Sequence, residues 1–137
     1  MAEANNTFTV EIITPERVFY TGEAEMIEFA TVDGEIGVYK NHIPMTTVLQ
    51  PGVVKIHESE EIKNAAVHAG FAEILGDKVT ILAEIAEWPG EIDVDRAMEA
   101  KERAEERIAN KDGNLDVRRA EYALRKALTR IDVAGYK

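Results

Sequence analysis

The side chains able to do chemistry are gathered in the last third of this 137-residue sequence, where seven of the eight arginines lie within the final 46 residues. Two stretches there share one pattern, an aspartate followed three and four positions later by arginine and alanine. They are Ile92-Asp93-Val94-Asp95-Arg96-Ala97 and Leu115-Asp116-Val117-Arg118-Arg119-Ala120, 23 residues apart. Aspartate so placed suits a helix N-cap, where its carboxylate accepts a backbone N–H that the first turn leaves unpaired. The preceding Ile92 or Leu115 can then staple onto the alanine at the fourth helical position. No catalytic constellation competes with these segments. The sequence holds no Gly-rich phosphate loop, no Gly-x-Ser-x-Gly and no paired histidines with a carboxylate base. His42, His57 and His68 lack metal-ligand spacing, and there is no cysteine to supply a thiolate. No catalytic residue and no metal site are expected, and an enzyme reading has little support.

Charge divides the chain in two. Residues 1–91 carry 5 Lys+Arg against 16 Asp+Glu, a net of −11, whereas residues 92–137 carry 11 against 10, a net of +1. Such asymmetry points to different partners for the two segments. Nucleic acid is not one of them: the arginines alternate with acidic residues and form no basic patch, which phosphate-backbone binding requires. An apolar content of 45% is enough for a core. The start, Met1-Ala2-Glu3-Ala4-Asn5-Asn6, lacks the basic flank and apolar run of a secretion signal. No apolar stretch approaches the roughly 20 residues needed to span a bilayer. A soluble intracellular chain is therefore expected, without direct membrane insertion, and cysteine-free composition fits a reducing compartment.

Two kinds of element must position the reactive residues. In the front part, Phe8, Val10 and Ile12 alternate with Thr9 and Glu11, the period of a half-buried strand. Val18-Phe19-Tyr20, Met26–Phe29, Val53–Ile56, Phe71–Leu75 and Lys78–Leu82 add further strands. Asp33-Gly34, Pro51-Gly52 and Gly76-Asp77 supply the turn signals between them. Strands spaced this way predict an antiparallel sandwich or barrel, with no long helix before residue 90. After Pro89-Gly90 the period becomes helical. Ala97, Ala100, Ala104 and Ile108 line one face of a helix of about 17 residues, roughly 25 Å long. Lys111-Asp112-Gly113-Asn114 breaks it, and Val117, Ala120, Leu124, Leu128 and Ile131 form a second stripe. The expected fold is α+β: a β-sandwich domain over residues 1–88, then an antiparallel two-helix hairpin over 89–137. The hairpin faces are alanine-rich and bury little area, so at about 25 cal/mol per Å² the hairpin needs the sandwich, a ligand or another protein to hold it. Trp88, the single tryptophan, is expected to pack sheet against hairpin.

The stretch Gly34-Glu35-Ile36-Gly37-Val38-Tyr39-Lys40-Asn41-His42-Ile43-Pro44 resembles the loop signature of the epsilon subunit of F-type ATP synthase. Ile92–Ala97 resembles that family's ATP-binding motif, Ile/Leu-Asp-x-x-Arg-Ala, and the order of sandwich then hairpin also matches. The resemblance runs from about Phe8 to the C-terminus and is to the bacterial form. It implies a non-catalytic subunit of the rotating stalk, peripheral at the cytoplasmic face of the cell membrane. The sandwich would contact the gamma subunit and the ring of proton-carrying subunits, with Glu35 and His42 in the docking region. The hairpin would switch between a compact state and an extended state that reaches the alpha/beta catalytic head and inhibits ATP hydrolysis. The isolated chain is expected to be a monomer.

Regulatory ATP bound to the compact hairpin would oppose extension, with or without magnesium. By position in the family pattern, Glu87, Ile92, Asp93, Arg96, Ala97 and Arg103 map onto nucleotide contacts, joined by Lys126 and Arg130 from the second helix. Position 126 departs from the arginine of well-known ATP-binding members; lysine keeps the charge but loses the planar fork for two-point phosphate contact. The residues themselves leave two readings open. Asp93 and Asp116 serve as helix caps in one, and Arg103, Lys126 and Arg130 form a solvated face with pairs such as Glu99–Arg103. In the other they gather around a polyphosphate. A purely mechanical stalk subunit with no nucleotide site is the alternative function.

Overall fold

The computed structural model describes residues 6–110 and 116–136. Eight strands come first: β1 (Phe8–Ile13), β2 (Val18–Ala24), β3 (Met26–Thr31), β4 (Gly34–Tyr39), β5 (Met45–Val48), β6 (Gly52–His57), β7 (Ile62–Ile74) and β8 (Lys78–Glu87). A single 3-10 turn at Pro89–Glu91 leads into α1 (Val94–Asn110) and α2 (Val117–Ala134). The fold is the α+β sandwich followed by two helices. The breaker Lys111–Asn114 and the staple residue Leu115 lie outside the described residues.

The strands hydrogen-bond in the order β2-β1-β8-β7-β6-β3-β4, with β5 added on β7. β7 is the spine: its first half pairs with β6, its second half with β5, and β8 runs antiparallel along both. The change of neighbour falls at Ala69 and Gly70, which take positive φ values of 59° and 120°. A Cβ on Gly70 would strike the Leu82 carbonyl oxygen and sit 2.9 Å from the Ala83 Cα, so only glycine lets β7 approach β8 this closely there. Alternation in β1 buries Phe8, Val10 and Ile12 completely, together with Ile27, Phe29, Ile56, Ile74 and Ile81 from the other strands.

Four expectations need correction. One strand pair, β1 with β8, is parallel, because β1 enters the sheet beside the last strand rather than beside a hairpin neighbour. The segment Gly34–Tyr39, read as loop, is strand β4, since Ile36 and Val38 pair with Phe29 and Ile27 of β3. The β3–β4 turn is Val32-Asp33, one residue earlier than Asp33-Gly34; the Thr31 hydroxyl closes it by donating to the Gly34 carbonyl oxygen at 2.6 Å. Trp88 stacks on Phe19 of β2, with ring centroids 4.2 Å apart, and meets Tyr20 edge-on, so it packs within the sandwich rather than between sheet and hairpin.

In the hairpin, α1 buries Ala97 and Ala104, and α2 buries Ala120, Ala127, Thr129 and Val133. The expected second stripe is only partly right, because Val117 and Leu128 remain exposed. The small residues are the ones that allow close helix approach. α2 lies on β6 and β7, while α1 packs mainly on α2. Ile92, Ala66 and Val133 form a small second core where the end of α2 meets the sheet, with Val53 and Ala134 beside it. Three polar tethers add to it. Arg125 Nε donates to the Pro51 carbonyl oxygen at 2.7 Å, Arg130 Nε to Glu87 Oε1 at 2.8 Å, and Lys55 Nζ to the Tyr136 hydroxyl at 3.0 Å.

Candidate functional site

Both aspartates of the repeated pattern cap helices. Asp93 Oδ1 accepts the Arg96 N–H at 3.1 Å, and Asp116 Oδ1 accepts the Arg119 N–H at 3.2 Å. Each leaves the carboxylate's second oxygen outside that bond. Ile92 packs on Ala66 and Val133 in the small second core. The first copy differs from the second in what surrounds it. A cleft of about 390 Å³ opens between the start of α1, the end of α2 and the end of β8. Seven of the eight residues expected at a nucleotide site line it: Glu87, Asp93, Arg96, Ala97, Arg103, Lys126 and Arg130. Ile92 does not line it and serves packing instead.

The antiparallel pairing of the helices creates this convergence. Arg96 and Arg103 are seven residues apart, two turns along one face of α1, and Lys126 and Arg130 are four apart on α2. Alanines 97, 100, 123 and 127 between them floor the cleft without filling it. Four cations thus face three carboxylates, and each carboxylate already has a partner. Glu87 accepts from Arg130. Glu91, which sequence reasoning missed, holds Arg17 of the β1–β2 turn at 2.8 and 2.9 Å and also accepts the Trp88 N–H at 2.9 Å. Asp93 caps α1. The side chains of Arg96 and Arg103 make no hydrogen bond or ion pair with the described residues, and the Glu99–Arg103 pair does not form; the ion pair on α1 is Lys101–Glu105 at 3.8 Å. Lys126 Nζ lies over the Tyr122 ring, 5.3 Å from its centroid. The volume falls within the roughly 300–1,000 Å³ of small-molecule sites, and two guanidinium groups without a partner among the described residues suit an anion.

Glu87 is the hinge of the local electrostatics. Burial alone would raise its carboxyl, but hydrogen bonds from His68 and Arg130 hold it below the usual carboxylate range. His68 sits on β7 beneath α2 and is only 1% exposed. Its Nε2 lies 3.3 Å from Glu87 Oε1; a carboxylate can only accept, so Nε2 carries the proton. Burial depresses the His68 pKa, outweighing the pull of Glu87, and the nearby Arg130 charge adds to the depression. Sequence reasoning assigned His68 nothing, since its neighbours come from elements far away in the chain.

The other expected site residues are not brought together. Glu35 is exposed at the start of β4 and lines a groove with Pro51, Lys55 and Arg125. His42 lies beyond the far end of β4, where Nδ1 donates to the adjacent Ile43 carbonyl oxygen at 2.7 Å. A separate surface is organised by the sheet register. Val48, Phe71, Leu82, Ile13 and Val18 are successive cross-strand partners over β5, β7, β8, β1 and β2. Four of the five are exposed, making an apolar stripe of the kind that marks protein interfaces. Among the described residues, no group of three or more histidines and carboxylates is placed to hold a metal ion.

Two family models match in sequence: the beta-sandwich domain of the ATP synthase delta/epsilon chain over residues 7–89, and its long alpha-helix domain over residues 91–135. The chain belongs to the ATP synthase delta/epsilon family. Among curated relatives, the ATP synthase epsilon chain of Brevibacillus brevis is 53% identical over 127 residues, covering 92% of this chain and 96% of that one. The epsilon chain of Halalkalibacterium halodurans is 45% identical over 130 residues, covering 94% and 98%. A chain in the Euglena gracilis mitochondrial ATP synthase structure (OSCP/F1/c-ring) superposes with a TM-score of 0.81 at 20% identity, covering 97% of this chain and 84% of that one. At that identity the likeness is one of fold. Membership in the family, with epsilon-chain relatives at this identity, makes the chain a bacterial-type epsilon subunit of F-type ATP synthase, non-catalytic in itself. No described helix is long and apolar enough to cross a membrane.

Proposed function

We propose that the chain is a rotor subunit of the central stalk of a proton-translocating ATP synthase, and that its hairpin is a nucleotide-controlled brake. Closed, the hairpin binds ATP in the cleft between α1 and α2. Extended, it reaches the alpha/beta catalytic head and inhibits ATP hydrolysis. The sandwich seats on the gamma subunit through the apolar stripe around Phe71 and Leu82, and the region of Glu35 and His42 faces the ring of proton-carrying subunits. The chain then sits peripherally at the cytoplasmic face of the cell membrane.

The observation that carries the nucleotide reading is the convergence of Arg96 and Arg103 from α1 with Lys126 and Arg130 from α2 on one cleft. A polyphosphate supplies the negative charge that Arg96 and Arg103 lack among the described residues. Each charge-assisted hydrogen bond contributes about 1.5–3 kcal/mol. Asp93, an acceptor only, is assigned to the base or to orienting an arginine. Because the cations come from both helices, ATP would bind the closed hairpin better than the extended one and shift the population toward it. A second reading, a purely mechanical stalk subunit, is favoured by the structural duties already held by Asp93 as cap, Ile92 as packing and Glu87 as Arg130's partner.

Titration calorimetry of ATP into the intact chain separates the two. One ATP per chain is expected, with Arg96→Ala and Arg103→Ala each removing detectable heat while helicity is retained. Absence of heat in the unaltered chain at millimolar ATP would leave the mechanical reading.

A further inference from the structure

We propose that His68 is a proton-operated latch on the hairpin: charging its imidazole releases α2 from the sheet, so mild acid favours the detached tail. The inference rests on the packing of α2 over β7 and stands apart from ATP binding.

Three geometric facts support it. His68 is sealed where the end of α2 covers the sheet, at 1% exposure. Its Nδ1 is buried without a hydrogen-bond partner among the described residues. Its Nε2 donates to Glu87, the same oxygen that receives Arg130 from α2. A neutral ring fits this place, with Nε2 protonated and Nδ1 bare. A charged ring does not, because its second N–H would have no acceptor in a water-poor setting and its charge would face cations. The charged groups facing His68 are Glu87 from β8 and Arg130 and Lys126 from α2. Among the described residues Glu87 is the single attractive one, and its charge is already shared with Arg130.

Detachment of α2 would open His68 to water and remove Arg130 and Lys126 while leaving Glu87 on β8 beside the ring. The detached form therefore binds a proton more tightly than the docked form. By linkage, docking is at full strength above the ordinary histidine range near ~6.5 and is lost as pH falls through it. Glu87, held below the usual carboxylate range, stays ionised throughout that window. One proton taken up on release gives at most about tenfold in the docking equilibrium per pH unit.

Hydrogen–deuterium exchange of the intact chain without nucleotide, corrected for intrinsic rates, reads the docking of α2 between pH 7.5 and 5.5. Protection of α2 is expected to fall with pH, approaching tenfold per unit at the acid end, while strand amides keep theirs. His68→Gln retains an N–H donor for Glu87 but cannot charge, and should make α2 protection independent of pH within twofold. His42→Gln and His57→Gln should leave the slope in place. A flat profile in the unaltered chain, or an equal fall in His68→Gln, would overturn the latch. Should His68→Gln fail to fold, imidazole nitrogen NMR of the unaltered chain decides the matter: a ring that charges while α2 stays protected refutes the proposal. Calorimetry with ATP at pH 7.5, run alongside, reports on the nucleotide reading independently.

Discussion

Glu87→Gln tests whether the end of β8 is what holds the hairpin down. The substitution keeps the size of the side chain and one acceptor oxygen but removes the charge that Arg130 Nε and His68 Nε2 share. Charge-assisted hydrogen bonds are about twice as strong as neutral ones, so roughly half of a 1.5–3 kcal/mol contact is lost at Arg130. The side chains of Arg130 and Glu87 are 28% and 23% exposed. The guanidinium, left with a neutral acceptor, can therefore recover hydration, and the 3–5 kcal/mol of a fully buried broken pair does not apply. Solvent screening trims the figure further, toward the lower range of exposed pairs. A loss of about 0.5–1 kcal/mol remains, which multiplies the detached population by roughly 2–5.

Hydrogen exchange on the intact chain at pH 7.5 reads that change element by element. Amides of α2 should exchange about 2–5 times faster, while amides of β1 to β8 should keep their rates, because Glu87 ends its strand and the core lies elsewhere. Two outcomes would refute the reasoning. Unchanged α2 amides would mean that the ion pair tethers nothing. An equal acceleration of strands and helix would mean that Glu87 supports the sandwich, not the hairpin.

Gly70→Ala should destabilise the whole chain. Overpacking costs about 1–3 kcal/mol and a strained positive φ a similar amount; a drop in the urea midpoint with unchanged slope, shared by Trp88 fluorescence and helical circular dichroism, is the expected reading. A helix-only loss would contradict the role of β7 as spine. Phe71→Glu, at an exposed position on the apolar stripe, should leave the urea midpoint within the equivalent of about 0.5 kcal/mol. It should nevertheless abolish co-purification with the gamma subunit, and retained co-purification would move the docking surface elsewhere.

Legibility in the sequence followed locality. β1 was plain because Phe8, Val10 and Ile12 alternate strictly and all three are buried. β4 was not, since Glu35 and Gly37 dilute the pattern and the strand exists through its pairing with β3. The first half of β7 was hidden for a related reason. Asn64, Ala65, Ala66 and Ala69 have weak strand preference, and pairing with β6 and β8 makes the strand. On α2, large Val117 and Leu128 drew the expected stripe outward, whereas compact Ala127, Thr129 and Val133 set the real face. The cleft was legible residue by residue because helical spacing and the family pattern both placed its cations. Its supports were not: Glu91 finds Arg17 across 74 positions, and His68 meets Arg130 only through Glu87.

The arrangement of tethers has a consequence for how such a brake would be released. α1 carries two of the cleft's cations but is held mainly by α2, and α2 is held by one small apolar cluster and three polar contacts. Loss of one contact, worth about 0.5–1 kcal/mol, is about a fifth to a third of the contribution of a ligand at 100 times its dissociation constant, about 2.7 kcal/mol. Under the proposed function, ATP and the Glu87–Arg130 pair therefore act on the same equilibrium in the same direction. A proton on His68 acts on it in the opposite direction. A tail held by many strong contacts would ignore all three inputs. An alanine-floored hairpin on a glycine-jointed sheet is weak enough for each of them to matter.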